Sequence, residues 1–215
     1  MIHSGAGRVV RPVMRPMTLV ERGVTEPSVS FTELLSGARS GLRGATDFGL
    51  AQYAEEIVAS GLPGIRRDPA GLRARQLDSY LDALRERAVP ALGSEVRRPQ
   101  ALRAWLTAYA AATATTTAYT KILNAATAGD ADKIAAQTAA AYRELLRRLW
   151  LFDPLPAWIP ALNPLKRLAG SPRRHLVDPA LAARLLGATI SLWSPTTYRR
   201  RICEKAHSLA RCSSL

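Results

Sequence analysis

The sequence is poor in cysteine and in long apolar runs, and each shortage excludes a class of protein. Its two cysteines, Cys203 and Cys212, lie near the C-terminal end. The rest of the chain cannot form a disulfide, which fits a reducing cytosol. No apolar run approaches the roughly 20 residues that a membrane-spanning helix needs, and Arg8, Arg11 and Arg15 interrupt the stretch where a signal peptide would be apolar. We therefore expect a cytoplasmic protein with no membrane partner.

Acidic residues are also scarce, and the basic residues are almost all arginine. Thirty Lys and Arg residues stand against 17 Asp and Glu residues, which gives a net charge of +13. A basic surface favours contact with phosphate groups or acidic surfaces, although a solvated basic face has the same composition. The candidate partners are therefore nucleic acid or a partner protein, and the oligomeric state stays unknown.

Motifs for catalysis and for metal binding are missing. A P-loop requires Gly-Lys followed by Ser or Thr, because the backbone cradles the phosphates while the lysine reaches them. None of the lysines follows a glycine, and no apolar strand ends in paired acids that would hold magnesium. The three histidines are far apart and have no HExxH or CxxC companion. We therefore expect no catalytic, cofactor-binding or metal-binding residue in this chain.

Apolar spacing predicts helices in the first half of the chain. Residues 48–59 and 68–88 carry apolar side chains at helical intervals, and Asp68 followed by proline is typical of a helix start. We expect the pair Glu55-Glu56, within the first of these helices, to be solvated.

Residues 3–21 predict a short strand bounded by glycine and proline. Its expected buried positions are Val9, Val10, Val13 and Met14. A single strand is not stable by itself, and no partner strand follows it directly in the sequence. We therefore expect that the strand belongs to a sheet whose other strands lie upstream.

Residues 99–187 predict three helices, then a two-stranded ribbon, then a last helix from Pro179 to Leu186 that is capped by Asp178 and stopped by Gly187. The third helix is expected over residues 131–149. The ribbon strands are expected at residues 151–159 and 173–177. Three helices followed by a ribbon is the order of a winged helix-turn-helix domain, in which the third helix is the recognition helix and residues 163–172 are the wing.

Two sets of side chains in this region are expected to pack inward. The third helix should bury one apolar face, made of Ile134, Ala141, Leu145 and Leu149. The tryptophans at core-like positions are expected to be packing residues rather than platforms for base stacking, namely Trp105, Trp150 and Trp158.

Five segments in order carry a resemblance to a known family. They are HSGAGRVVRPVMRPMTLVERG (3–23), ASGLPGIRR (59–67), LDSYLDALRERAV (77–89), DKIAAQTAAAYRELLRRLWLFDPLPAW (132–158) and NPLKRLAGSPRRHLVDPALAARLLG (163–187). Together they resemble bacterial ATP-binding proteins in which an AAA-type P-loop ATPase domain is joined to a C-terminal domain of unknown function. That second domain is similar to a winged helix followed by a nuclease-like fold.

The resemblance implies a mainly α fold in four parts. These are the remnant end of the ATPase domain (1–35), a helical linker or lid (36–98), a winged-helix-like domain (99–187) and an atypical, disordered or frameshifted tail (188–215). The family's P-loop would precede His3, so the chain is expected to be a truncated fragment with no activity of its own. ATP and magnesium are expected only in complete members, and whether the chain counts as an enzyme stays open.

The expected function follows from the winged helix. Bases are read by Arg, Lys, Asn or Gln on the exposed first turns of a recognition helix. The candidates for nucleic-acid contact are Lys133 and Gln137 on the helix, with Lys166, Arg167, Arg173 and Arg174 on the wing. This distribution favours backbone contact over sequence readout.

Further candidates and alternatives remain open. Arg8 and Arg15 are candidates for remnant phosphate sensors of the ATPase domain. The alternatives to nucleic-acid contact are a protein-interaction or regulatory domain that packs on an ATPase core, and a non-functional gene fragment.

Overall fold

The computed structural model describes residues 12–27, 29–38, 45–88, 99–127, 134–159 and 170–190. Over these ranges the chain is mainly helical, which confirms the prediction from apolar spacing. Within the same ranges, no helix is both long enough and apolar enough to cross a membrane.

Among the described residues of the first half, the structure has four helices. They are α1 (Phe31–Leu35), α2 (Leu50–Ala59), α3 (Pro63–Arg66) and α4 (Ala70–Ala83), and α4 continues as a π-helical turn, Leu84–Ala88. The predicted start at Asp68 was one residue early, because Pro69 is the N-cap and Ala70 is the first helical residue.

The second half contains α5 (Pro99–Ala111), α6 (Tyr119–Ala126), α7 (Ala136–Arg148) and α8 (Pro179–Leu185). The predicted third helix is α7, but Ala135 has the extended backbone of an N-cap, so α7 begins later than expected. Its buried face is made of Ala139, Tyr142, Leu145 and Leu146. Ala141, which was expected to point inward, is exposed.

A single cluster of buried side chains joins the two halves of the chain. Leu77 and Leu81 of α4 pack in the same cluster as Trp105 and Tyr109 of α5 and Leu181 of α8. α8 contacts α2, α4 and α5, while α5 packs on α6. The boundary predicted between residues 98 and 99 stays a prediction.

Three segments of the chain meet beside α5, two of them extended and one a turn. Phe152 pairs with Leu176 and Leu155 pairs with Arg173, both in antiparallel bridges. A third segment follows α5, since the Ala114 amide donates to the Arg174 carbonyl at 2.8 Å and the Arg174 amide donates to the Thr115 carbonyl at 2.9 Å. The pairing of the two ribbon segments was predicted, but it consists of two isolated bridges rather than the two strands expected, and the turn that joins them was not predicted.

The predicted N-terminal strand is wrong at the positions that the structure describes. Val13 is 47% exposed and Met14 is 92% exposed, and residues 12–18 have no strand partner among the described ranges. Val9 and Val10 lie outside those ranges. The segment instead packs against the end of α2, where the Met17 amide donates to the Gly61 carbonyl at 2.8 Å.

Glu56 holds this N-terminal segment against α2. Arg22 donates to its Oε2 at 3.0 Å, and Arg66 donates to both carboxylate oxygens, at 2.7 and 3.0 Å. Burial tends to raise the pKa of Glu56, but the hydrogen bonds from Arg66 and Arg22 outweigh it, and the pKa is lowered. The expected solvated pair is therefore correct for Glu55, which is exposed, and wrong for Glu56.

A buried carboxylate joins the two ends of the fold. Asp178 caps α8 by accepting from the Ala180 amide at 2.9 Å, as predicted. It also accepts from the Ser60 hydroxyl at 2.5 Å and from the Gly61 amide at 2.9 Å. Asp178 and Ser60 are fully buried, so this cap also fixes the end of α2 on α8.

Candidate nucleic-acid interface

Stacked aromatic rings hold the ribbon on the helices. The rings of Tyr109 and Phe152 are nearly parallel, with an interplanar angle of 6° and centroids 3.9 Å apart. Trp105 lies 5.5 Å from Phe152 and is 1% exposed, so it is a packing residue as expected. Because Phe152 pairs with Leu176, this stack fixes the position of both ribbon segments.

The end of α7 carries a left-handed residue that is not glycine. The Leu151 amide donates to the Leu146 carbonyl at 2.9 Å, and the Trp150 amide donates to the Arg147 carbonyl at 3.1 Å. These two bonds form a Schellman motif, in which the left-handed position is most often glycine. Here that position is Trp150, with a φ of 58°.

Two of the three tryptophans contradict the expectation that they pack in the core. Trp150 is 64% exposed and Trp158 is 84% exposed. The left-handed backbone at Trp150 turns its side chain away from the apolar face of α7, while Leu151 and Phe152 enter the core instead. The chain therefore presents the indole ring of Trp150 to solvent beside the basic end of α7.

We call this region the α7-end surface, and it consists of Arg147, Arg148, Trp150 and Asp153. With Phe152 and Pro154 these residues line a cleft of about 480 Å³. Arg147 and Arg148 occupy the last turn of α7 and are exposed. Arg147 makes a long contact with Glu144, at 3.4 Å, which is an exposed pair of small energetic weight.

Arg15 neutralises the acidic member of the α7-end surface. Its Nε donates to Asp153 at 2.6 Å and its Nη2 donates at 3.1 Å. This hydrogen bonding lowers the pKa of Asp153 and raises the pKa of Arg15. The phosphate-sensor role predicted for Arg15 stays a prediction, and Arg8 lies outside the described residues.

The structure places three of the predicted contact residues, two of them exposed and one buried. Gln137 is exposed on the first turn of α7, and Arg173 is exposed on the ribbon. Arg174 contradicts the prediction of an exposed wing residue, because it is only 4% exposed. Its Nη1 donates to the Pro172 carbonyl at 2.9 Å, and its guanidinium lies 4.1 Å from the Tyr119 ring centroid.

Three of the predicted contact residues lie outside the described ranges, and Arg143, which was not predicted, contacts the same aromatic ring as Arg174. Lys133, Lys166 and Arg167 lie outside the described residues, as does most of the predicted wing. Arg143 lies 4.4 Å from the same Tyr119 ring that Arg174 covers. Cation–π contacts of this kind stabilise the junction between α6, α7 and the ribbon.

The contribution of Trp150 to this surface was not predicted from the sequence. The signal in the sequence is that tryptophan, and not glycine, stands at position 150, where a Schellman motif most often has glycine. Across the described ranges, no group of three or more His, Cys, Asp or Glu side chains is close enough to hold a metal ion. The side chains of the α7-end surface offer positive charge from Arg147 and Arg148 and a ring for aromatic stacking from Trp150.

A comparison with known proteins identifies one sequence family. Residues 50–191 match the family described as Domain of unknown function (DUF8612). This range covers more than half of the chain and includes α2 to α8 together with the ribbon. No curated protein and no solved structure matches.

Proposed function

The chain belongs to the DUF8612 family, and we propose that residues 99–187 act as a winged helix that contacts nucleic acid as an accessory part of an AAA-type ATP-binding protein. The order of elements supports the fold: α5, a turn at residues 114–115 that is hydrogen-bonded to Arg174, α6, α7, then two antiparallel segments. Three helices followed by a two-stranded ribbon is the order of a winged helix-turn-helix domain. The link to the ATP-binding family is carried by the five sequence segments that resemble it.

The exposed side chain of Trp150 is the observation that carries the proposal. A non-glycine residue in the left-handed region costs about 1–3 kcal/mol, and an exposed indole recovers little of this cost through packing. Indole rings stack on bases, and neighbouring arginines neutralise phosphates. The α7-end surface provides both groups within two turns of chain.

The charge distribution on α7 favours backbone contact over base readout. The first turn offers Gln137 and Thr138 among alanines, so few side chains there can recognise base edges. Arg147 and Arg148 lie at the opposite end of the helix, and Arg173 lies on the ribbon. We therefore propose binding with weak sequence preference.

The proposal is tested by titrating the full chain with a fluorescent 20-nucleotide duplex and a single strand at several salt concentrations. We expect micromolar binding at low salt and a steep loss of affinity as the salt concentration rises. The double variant Arg147→Gln, Arg148→Gln should weaken binding and reduce the salt slope by about 1–2. A double variant with the same charge loss elsewhere, Arg67→Gln, Arg75→Gln, is the matched control.

Two results would overturn this proposal. The first is no binding to either nucleic acid at low salt. The second is an equal loss of affinity in both double variants, because a nonspecific positive charge would then explain all of the binding.

A protein interface is the second candidate function, and exposed apolar side chains on the N-terminal side favour it. α1 has no buried residue, with Phe31 74% exposed and Leu35 75% exposed, and Met14 is 92% exposed. Exposed apolar groups of this size are typical of interaction sites. Mixing the chain with the separately expressed P-loop domain of a complete family member should give a complex in sedimentation, and the variant Phe31→Ser, Leu35→Ser should abolish it.

A further inference from the structure

A cleft on the other side of the molecule lies between α2, α4 and α8. It has a volume of about 690 Å³ and is lined by residues from all three helices and from the segment after α8, including Ala59, Arg73, Leu77 and Ala183. We propose that this cleft binds a small organic anion, with an apolar body on the alanine-lined walls and a carboxylate or phosphate group on Arg73. A volume between about 300 and 1,000 Å³ is usual for small-molecule sites.

The walls of the cleft are made of small apolar side chains. Alanines come from each helix that forms it: Ala59 from α2, Ala70 and Ala74 from α4, and Ala180 and Ala183 from α8. Val58, Leu77 and Ile190 add larger apolar groups. Because alanine leaves space above the helix backbone, a flat apolar body can lie close to the three helices.

Of the three arginines described at the cleft, two form ion pairs and Arg73 does not. Arg66 is bound to Glu56, and Arg184 is bound to Asp78. Arg73 donates its Nε to the Asp68 carbonyl at 2.8 Å, and none of the ion pairs found across the described ranges includes it. The N–H groups of its two terminal nitrogens are therefore available to bind an anion.

The geometry of Arg73 favours a planar or tetrahedral oxyanion. The Asp68 carbonyl fixes one nitrogen of the guanidinium and thereby limits its rotation. The fork that remains matches the two oxygens of a carboxylate or a phosphate, and such charge-assisted bonds are stronger than neutral ones. Glu55 also lines the cleft but is exposed, so water screens its repulsion of the ligand.

Three probes that share one aromatic body test this inference: 1-naphthoate, 1-naphthyl phosphate and neutral 1-naphthol. Calorimetry on the full chain should show saturable 1:1 binding of at least one anion, with 1-naphthol at least about tenfold weaker. Binding of the carboxylate alone or of the phosphate alone identifies which source of the negative charge the site prefers.

Four variants locate the site. Arg73→Gln should weaken anion binding about tenfold or more, since it removes a charge-assisted hydrogen bond. Arg75→Gln, on the exposed face of the same helix, should leave the affinity unchanged. Ala183→Leu and Ala74→Leu each fill the cleft from a different helix and should block all three probes, with circular dichroism to show that each variant is folded.

The outcomes decide the proposal in either direction. Equal binding of 1-naphthol and the anions, or equal effects of Arg73→Gln and Arg75→Gln, would overturn the role of Arg73. Full binding in a folded cleft-filling variant, or no binding of either anion at 1 mM, would overturn the site. Because α4 and α8 each carry a filling variant, the test stands even when one of them does not fold.

Discussion

Replacing Trp150 with glycine should weaken the binding of nucleic acid without lowering the stability of the chain. The left-handed backbone at this position, with a φ of 58°, costs a non-glycine residue about 1–2 kcal/mol. The indole is 64% exposed, so its removal sacrifices little buried area. Glycine relieves the strain, but it loses more conformational freedom on folding than other residues, which lowers the stability by about 0.5–1 kcal/mol. We expect the free energy of unfolding to stay the same or to rise by about 1 kcal/mol.

The same substitution should weaken binding strongly. Stacking of a base on an aromatic side chain contributes about 1–3 kcal/mol, and each 1.4 kcal/mol corresponds to a tenfold change in affinity. Trp150→Gly should therefore raise the dissociation constant for a single-stranded oligonucleotide roughly 5- to 150-fold. The assay is fluorescence anisotropy at fixed salt, paired with urea denaturation of the same preparations.

Two control variants make the test decisive. Trp150→Ala removes the same ring but keeps the strained backbone, so it should bind as weakly as the glycine variant and be about 1 kcal/mol less stable than it. Tyr53→Ala removes a partly exposed ring from α2 and should leave the affinity unchanged. The reasoning fails if the glycine variant is the less stable of the two, or if it binds nucleic acid as tightly as the wild type.

Three further predictions concern the contacts around the end of α2, which join it to the N-terminal segment and to α8. Asp178→Ala removes a helix cap and leaves a buried hydroxyl and a buried amide without an acceptor, so urea denaturation should show a loss of about 3–5 kcal/mol; Asp78→Ala, which breaks an exposed pair, should cost less than about 1 kcal/mol. Gly61→Ala would place a Cβ 2.6 Å from Arg22 Nη2, and the same assay should show a loss of about 1–3 kcal/mol. Glu56 has a lowered pKa in the folded state, so its stabilising effect is complete above its ordinary pKa of 4.5 and is lost as the pH falls through the lowered value. The difference in unfolding free energy between wild type and Glu56→Gln should therefore shrink below pH 4.5, and a difference that stays constant down to acid pH would contradict this assignment.

Local sequence signals predicted the helices and several of their ends. Asp178 and Pro179 specify the start of α8 through one side-chain hydrogen bond and one fixed dihedral angle. Gly187 follows the helix with a φ of 62°, where glycine has no steric penalty. Signals of this kind need only neighbouring residues, so they can be read without knowledge of the fold.

The parts that depend on distant contacts could not be predicted. Glu55 and Glu56 are identical in type and adjacent, yet only Glu56 meets Arg22 and Arg66, because those arginines come from other segments. The buried face of α7 was misassigned at Ala141 for the same reason, since alanine fits either face and the neighbouring Tyr142 is the residue that enters the core. Arg174 was expected on the surface because most arginines are, and its burial depends on the aromatic ring of Tyr119.

The left-handed residues show which unusual feature the fold itself explains. Among the described residues, the non-glycine positions with positive φ are Ser60, Ala114 and Trp150. The Ser60 hydroxyl is bound to the buried Asp178, so a contact of its own side chain compensates that position, and Ala114 carries only a methyl group beside an amide that donates to the Arg174 carbonyl. At Trp150 the hydrogen bonds are made by the backbone alone, and glycine would make the same bonds with less strain. Folding therefore accounts for the turn at this position but not for the tryptophan, and the nucleic-acid contact proposed above would give the exposed ring a role.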